Sequence, residues 1–217
     1  MAIAGCTLYL PLENDANDQS GNSLNFTNIN SVTFDGTAAT FVRTSAQSLS
    51  RADNALLRAG GDWTMCGFFN FASFTGDPCI AAKWVFEYII QHYLSKIYNS
   101  CPSQVSTSGD VSLNTWYFFA TGRNATSNVA FMVVDAAKTT AGGTTDPSTL
   151  TNPMYIGQDG ANGEYMDGKL KHISFFQRVL SDAEIAAIRA AGGNPLTASV
   201  AGPYRRDPGA LLLLGVG

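Results

Sequence analysis

The sequence predicts an all-β fold, an antiparallel β-sandwich of jelly-roll type with one short C-terminal helix. Three observations predict it: many short apolar runs parted by Gly, Asn, Asp and Ser clusters, alternation of side chains within several runs, and a single capped helical segment late in the chain. The 217 residues suit one large β-domain, assigned to residues 1–194, with residues 195–217 as an extended tail. A domain of this size buries most of its apolar surface without staples or metals.

The strands follow in order. Thr7-Leu8-Tyr9-Leu10-Pro11-Leu12 opens the pattern and runs into a turn cluster from Asn14 to Asn22. Val32-Thr33-Phe34 and Ala39-Thr40-Phe41-Val42 flank Asp35-Gly36, and an Asp-Gly pair between short apolar runs signals a hairpin. Longer strands are expected at Trp63 to Phe71, Ile80 to Trp84, Glu87 to Leu94 and Thr115 to Thr121. The last three are Val129 to Val134, Met154 to Gly157 and Lys169 to Gln177. In the last of these, strict alternation places Leu170, His172, Ser174 and Phe176 on one face.

Ser181 followed by Glu184 forms a capping box, and Leu180 with Ile185 stands where a hydrophobic staple is expected. Ile185 and Ile188 supply an apolar stripe, and Gly192-Gly193 ends the helix. One short helix after a long run of strands packs on the sandwich and does not build a parallel α/β fold.

After Asn194-Pro195 the composition turns to Pro, Gly and a terminal apolar run, Ala210-Leu211-Leu212-Leu213-Leu214. Four leucines in water are costly, since burying each is worth roughly 1.5–3 kcal/mol, so the tail reads as a docking arm for its own domain or a neighbour. A frayed end is the alternative. Several strands are apolar on both faces: Trp63, Met65, Phe69 and Phe71 alternate with Cys66 and Phe68, and Trp116 and Phe118 with Tyr117 and Phe119. A sheet with one wet face alternates more cleanly, so either loops or another subunit must cover the second face.

Composition excludes several classes. Charged residues are 14% against 45% hydrophobic, too apolar for a disordered chain. Net charge is −4 and the longest basic run is Arg205-Arg206, which leaves no footprint for nucleic acid. The first residues, Met1 to Cys6, lack the charged start and apolar core of a signal peptide, so synthesis and folding in the cytosol are expected. The leucine run is far short of the roughly 20 residues that span a bilayer. Asn25-Phe26-Thr27 and Asn124-Ala125-Thr126 are then chance glycosylation triplets. Four cysteines, Cys6, Cys66, Cys79 and Cys101, form no CxxC pair and accompany two histidines, which argues against structural zinc. Free buried thiols are expected, with a Cys79 to Cys101 bridge as the alternative.

Three segments in this order resemble the laminin-G-like and pentraxin branch of the concanavalin A-like superfamily. The first is Leu8-Tyr9-Leu10-Pro11-Leu12 with Asp18-Gln19-Ser20-Gly21-Asn22, similar to the family's opening strand and Asp-x-Ser-Gly turn. The second pairs Asp62-Trp63-Thr64-Met65-Cys66-Gly67-Phe68-Phe69 with Leu113-Asn114-Thr115-Trp116-Tyr117-Phe118-Phe119-Ala120. The third runs from Met154-Tyr155-Ile156-Gly157-Gln158 through Gly168-Lys169-Leu170 to Val179-Leu180-Ser181-Asp182-Ala183-Glu184-Ile185, similar to the closing strand pair and helix. Together they cover about residues 7–192. The resemblance implies two curved sheets whose rim loops bind calcium and glycans. This chain departs from it in having Lys171 and His172 where many relatives carry acids, in a short loop from Gln158 to Asp167 where pentraxins hold calcium, and in a Cys66 with no partner in the Trp116 strand.

Candidate chemistry is sparse. Glycoside hydrolases of this fold need two carboxylates flanking the scissile bond. The glutamates are only Glu13, Glu87, Glu164 and Glu184: Glu13 abuts a turn, Glu184 serves the capping box, and Glu87 stands alone. There is no Gly-x-Ser-x-Gly elbow, and His92 and His172 are the only imidazoles, with His172 read as a hydrogen-bonded structural residue. Asp15 and Asp18, or Asp159, Glu164 and Asp167, offer oxygen to a hard cation, but turn residues use the same groups to cap their own backbone. Aromatic platforms for a glycan are available among Trp84, Tyr88, Tyr93, Tyr98, Trp116, Tyr155 and Tyr165, most of which strand positions send to the core.

No catalytic, cofactor-binding or metal-binding residue is therefore assigned, and no cofactor is expected. The expected function is that of a non-catalytic structural or adhesive module in an assembly, a virion surface component such as a capsid decoration or tail adhesin protein. Its partners are then other proteins, including copies of itself, and a cell-surface glycan. A free carbohydrate-binding lectin is the main alternative, and a glycan-cleaving enzyme the third.

Overall fold

The computed structural model describes residues 3–83, 87–101, 103–106, 109–143, 151–161 and 163–200. The first strands in chain order are β1 (Cys6–Leu10), β2 (Thr27–Ile29), β3 (Thr33–Phe34), β4 (Ala39–Phe41) and β5 (Ser48–Arg51). The middle of the chain supplies β6 (Trp63–Phe71), β7 (Cys79–Lys83), β8 (Tyr88–Tyr93), β9 (Lys96–Cys101) and β10 (Ser103–Ser106). The last are β11 (Tyr117–Asn124), β12 (Val129–Val134), β13 (Ala137–Gly142), β14 (Met154–Ile156) and β15 (Gly168–Phe176), followed by the helix α1 (Asp182–Ala190).

They form two antiparallel sheets. One has eight strands in the order β13-β12-β11-β6-β15-β4-β3, with β1 also on β15; the other has seven in the order β10-β9-β8-β7-β14-β5-β2. Sequence neighbours seldom suffice to build either sheet: β15 lies on β6, and β14 joins β7 to β5. The core between the sheets is rich in aromatics, and Trp63, Phe69, Phe71, Phe119 and Phe175 are fully buried in it. The expected all-β sandwich and its helix are therefore observed.

The helix begins as its sequence dictates. Ser181 Oγ accepts from the Glu184 N–H at 3.3 Å and Glu184 Oε2 accepts from the Ser181 N–H at 2.9 Å. Arg178 donates two hydrogen bonds to the same carboxylate, at 3.0 and 2.7 Å, and also reaches the Ala4 carbonyl at 2.8 Å. Thr64 on β6 fixes the approach: its hydroxyl donates to the Arg178 carbonyl at 2.9 Å and accepts from the Leu180 N–H at 3.0 Å.

The helix explains the strands that are apolar on both sides. A second cluster on the outer face of the eight-stranded sheet joins Cys66, Phe118, Ala120, Phe131, Val133 and Phe176 to Ile185 and Ile188 of α1. Ile3, Leu180 and Ala198 complete it, with Val200 packed at its edge. The second face is thus covered by the chain's own helix and flanking segments, and no subunit is needed to explain it. The leucine run at Leu211 to Leu214 lies outside the described residues, as does Trp84.

One expectation is corrected within β15. Its register against β6 slips between Lys171 and Ser174, and His172 has φ of +55°. The extra residue of this bulge breaks the alternation. Leu170, Ile173 and Phe175 therefore face the core between the sheets while Phe176 faces the helix, so Leu170 and Phe176 do not share a face. The alternative disulfide is also excluded: Cys79 is a free thiol, as are Cys6 and Cys66.

Close approach of β11 to β6 requires a glycine. A Cβ added at Gly122 would lie 2.0 Å from the Trp63 carbonyl oxygen, whereas one at Gly61 meets nothing within 4 Å. Gly122→Ala should lower unfolding stability by roughly 2–3 kcal/mol through overpacking. Gly61→Ala should leave it unchanged or raise it by up to about 1 kcal/mol; urea titration of both variants checks the contrast.

Candidate functional site

The site grows from a conflict on one edge of β15. Its first residues pair with β4 and its last with β1, and the bulge between them carries His172. The His172 N–H donates to the Pro11 carbonyl at 3.0 Å. Just past Pro11 the chain swings through Leu12 at φ of +60° with its side chain fully buried. Left-handed backbone at a leucine and a histidine costs on the order of 1–3 kcal/mol each, and such strain concentrates at ligand sites. The swing throws Glu13, Asn14 and Asp15 outward beside His172.

Asp18 holds the loop. Its carboxylate accepts from the backbone N–H groups of Tyr9, Ser20 and Leu24 at 3.0, 2.8 and 2.9 Å, and from the Ser20 hydroxyl at 2.9 Å. Those bonds occupy Asp18 as the organiser of its own turn. Asp15 accepts from the Asn17 N–H at 2.9 Å and its side-chain amide at 2.6 Å.

The result is a cleft of about 380 Å³ on the outer side of the eight-stranded sheet. Tyr9 and His172 form its floor, Glu13 and Asp15 one wall, and Asn194 with Leu196 the other. The second wall is set by Gly193, three residues beyond the end of α1. A Cβ there would stand 2.7 Å from His172 Cβ and 2.8 Å from the Phe68 ring, so glycine lets the helix exit lie directly on the bulge. Tyr9 Oη and His172 Nδ1 are 2.9 Å apart, and the two rings stack at 6.1 Å between centroids. His172 Nε2 faces Glu13 Oε1 at 3.6 Å. Burial pushes the His172 pKa below its ordinary value, with Glu13 pulling the other way and Lys171 reinforcing the fall.

The other candidates separate. Glu87 does not stand alone: fully buried, it pairs with Lys83, whose ammonium also meets Asp53 Oδ1 at 2.8 Å, and Asp53 pairs with Arg58. Burial raises the Glu87 pKa, opposed by Lys83 and by the Ala59 N–H that it accepts at 3.1 Å. This network ties the loop after β5 to the entry of β8. His92 is buried against Phe74, ring to ring at 3.9 Å, and neither of its nitrogens has a hydrogen-bond partner among the described residues. Asp159 is buried and accepts from the Ala161 and Glu164 N–H groups at 3.2 and 3.4 Å, so it caps its own loop. Among the described residues no group of three or more His, Cys, Asp or Glu side chains is arranged to hold a metal ion.

Of the aromatics, Tyr88 is in the core, against Trp63 at 5.1 Å. Tyr93 is 47% exposed at the tip of the β8–β9 hairpin, 6.3 Å from the Tyr98 ring. Trp116 is 37% exposed with the Lys171 ammonium 4.6 Å above it. Tyr155 and Tyr165 are half-buried. Tyr9, which the sequence had sent to a strand, is the aromatic that the cleft uses.

A family profile described as the concanavalin A-like lectin/glucanases superfamily, of laminin-G type, matches residues 18–186. The chain belongs to this superfamily. Comparison with curated proteins finds no match. Among solved structures, this superfamily member is similar to domain 4 of a GH43 extracellular arabinanase from Geobacillus stearothermophilus, in complex with arabinotriose. There the identity is 10% and the TM-score 0.64, covering 83% of this chain and 96% of that one. It is also similar to the binding domain of Paraclostridial Mosquitocidal Protein 1, at 14% identity and TM-score 0.64, covering 83% of this chain and 51% of that one. A third is a botulinum neurotoxin type C structure whose cell entry is described as dependent on two ganglioside molecules, at 9% identity and TM-score 0.66, covering 86% and 51%. The chain thus spans about half the length of these two toxin chains, and the likeness to all three is one of fold. Tyr9, Glu13 and Asp15 precede the segment matched by the profile.

With the His172 pKa depressed on folding, the folded state should lose stability as pH falls through the imidazole range, because the unfolded chain binds the proton more tightly. Glu13→Gln removes the carboxylate that favours the imidazolium, so it should lower the His172 pKa further. An NMR titration of the two imidazoles, assigned with His92→Gln, reads both effects; a rise in Glu13→Gln would contradict the geometry.

Proposed function

We propose that this domain is a non-catalytic glycan-binding module that serves adhesion within a larger assembly, displayed on a virion surface as a capsid decoration or tail adhesin component. The observation that carries the glycan reading is the cleft at the His172 bulge. Carboxylate, amide and imidazole groups converge there above a tyrosine, with the apolar edges of Pro11 and Leu196 beside them. Hydroxyl-rich ligands want that mixture, polar groups for the hydroxyls and apolar surface for the C–H faces. The arabinanase domain supports the reading, since this chain covers nearly all of a domain that was solved with a bound oligosaccharide.

The fates of the glutamates favour binding over cleavage. Glu87 is locked to Lys83, Glu184 to Arg178 and the helix cap, and Glu164 lies on the far loop beside Asp159. Of the cleft carboxylates, Glu13 faces His172 and Asp15 bonds Asn17, each with lone pairs left for a ligand hydroxyl. Screening on a glycan array and titration calorimetry with arabinotriose should show saturable binding that Tyr9→Ala or His172→Ala weakens about tenfold or more. No reducing ends should be released from the bound polysaccharide; turnover lost in Glu13→Gln would replace this reading with hydrolysis.

The assembly setting is supported by the thinly charged composition and the leucine-rich tail. Deleting residues 201–217 should abolish association, measured by light scattering, while the circular dichroism of the sandwich is retained. Unchanged association would count against the tail as a clasp.

A further inference from the structure

We infer that the cleft beside His172 selects neutral, hydroxyl-rich glycans and turns away sugars that carry a carboxylate, sulfate or phosphate. This rests on reading the cleft as a glycan site and adds the class of glycan.

The reason is the placement of charge. Two carboxylates, Glu13 and Asp15, line the cleft, and among the described residues no lysine or arginine does. The two lysines on β15 nearest to it are committed elsewhere. Lys169 Nζ donates to Asp35 Oδ2 at 2.9 Å. Lys171 lies over two rings, 4.6 Å from the centroid of Trp116 and 5.5 Å from that of Phe68. His172, on the floor, is held through Nδ1 by Tyr9 and turns Nε2 toward Glu13. A cation formed there would be matched first by that carboxylate.

Carboxylates accept hydrogen bonds and cannot donate them. Their natural partners are O–H groups, and vicinal sugar hydroxyls present these in pairs. The side chains of Asn14, Gln19 and Asn194 can donate or accept as the sugar requires. An anionic substituent has no proton to offer the carboxylates and meets two like charges in a concave site, where repulsion is less diluted by water than on a flat surface. The net charge of −4 acts in the same direction at longer range.

The test uses the full chain on an array holding matched neutral, sialylated and sulfated forms of the same oligosaccharides, with lactose and 3′-sialyllactose among them. Neutral members should bind, and each charged counterpart should bind about tenfold or more weakly. In the Glu13→Gln/Asp15→Asn double variant that gap should narrow to about threefold. Raising salt to about 0.5 M should narrow it in the unaltered protein as well, a readout independent of any variant. Charged members binding as well as neutral ones would overturn the inference and leave the glycan reading standing. A gap untouched by both the double variant and salt would make the exclusion steric and also overturn it. Binding to no member of the array would remove the glycan reading itself, and the selectivity with it.

Discussion

Strand β15 lies on β6 along one edge, but along the other it must serve β4 at its start and β1 at its end. Between those two pairings the register of β15 on β6 shifts, from Lys171 to Ser174. The bulge at His172, fastened by its N–H to the Pro11 carbonyl, absorbs the difference. Everything near the cleft follows from it: which face Phe176 takes, where Leu12 must turn, and why a polar side chain is presented at the edge of an apolar sheet. Backbone strain here is a cost that the surrounding hydrogen bonds of Asp18 and the packing of Leu12 hold in place.

Much of the architecture was legible in the sequence because it depends on local signals. The strands at Trp63 to Phe71 and Val129 to Val134 coincide with β6 and β12, since long runs with branched and aromatic residues leave little choice. The capping box of α1 was readable from Ser181 and Glu184 alone. Strands β2, β5, β9, β10 and β13 were not legible: Thr27–Ile29 and Ser48–Arg51 are short and polar, and they are strands only because a neighbour supplies the ladder. The cleft was legible only in pieces. Glu13 and Asp15 could be seen as turn residues and His172 as a lone imidazole in an alternating strand, but Glu13 and His172 stand 159 positions apart and nothing local announces the bulge that joins them. Two adjacent polar residues, Lys171 and His172, breaking the alternation of this strand were the available signal.

Double-sided burial shapes the rest of the molecule. With α1 on one face and the second sheet on the other, most of β6 and β11 is as dry as strands of a parallel α/β sheet, although their pairings are antiparallel. That removes the exposed apolar face as a reason for association. At the helix exit, by Gly193, the outer layer opens over a polar floor, which is where the cleft sits.

The thiols carry a further consequence. Cys66 and Cys79 are fully buried, one in each sheet, and burial pushes both pKa values up; that of Cys6 is raised to about 12. Thiolate, the form that exchanges with disulfides, is thereby suppressed at all three. None is needed to hold the sheets together and none is poised to react. This sandwich therefore holds its two sheets together without a disulfide through any of these three cysteines.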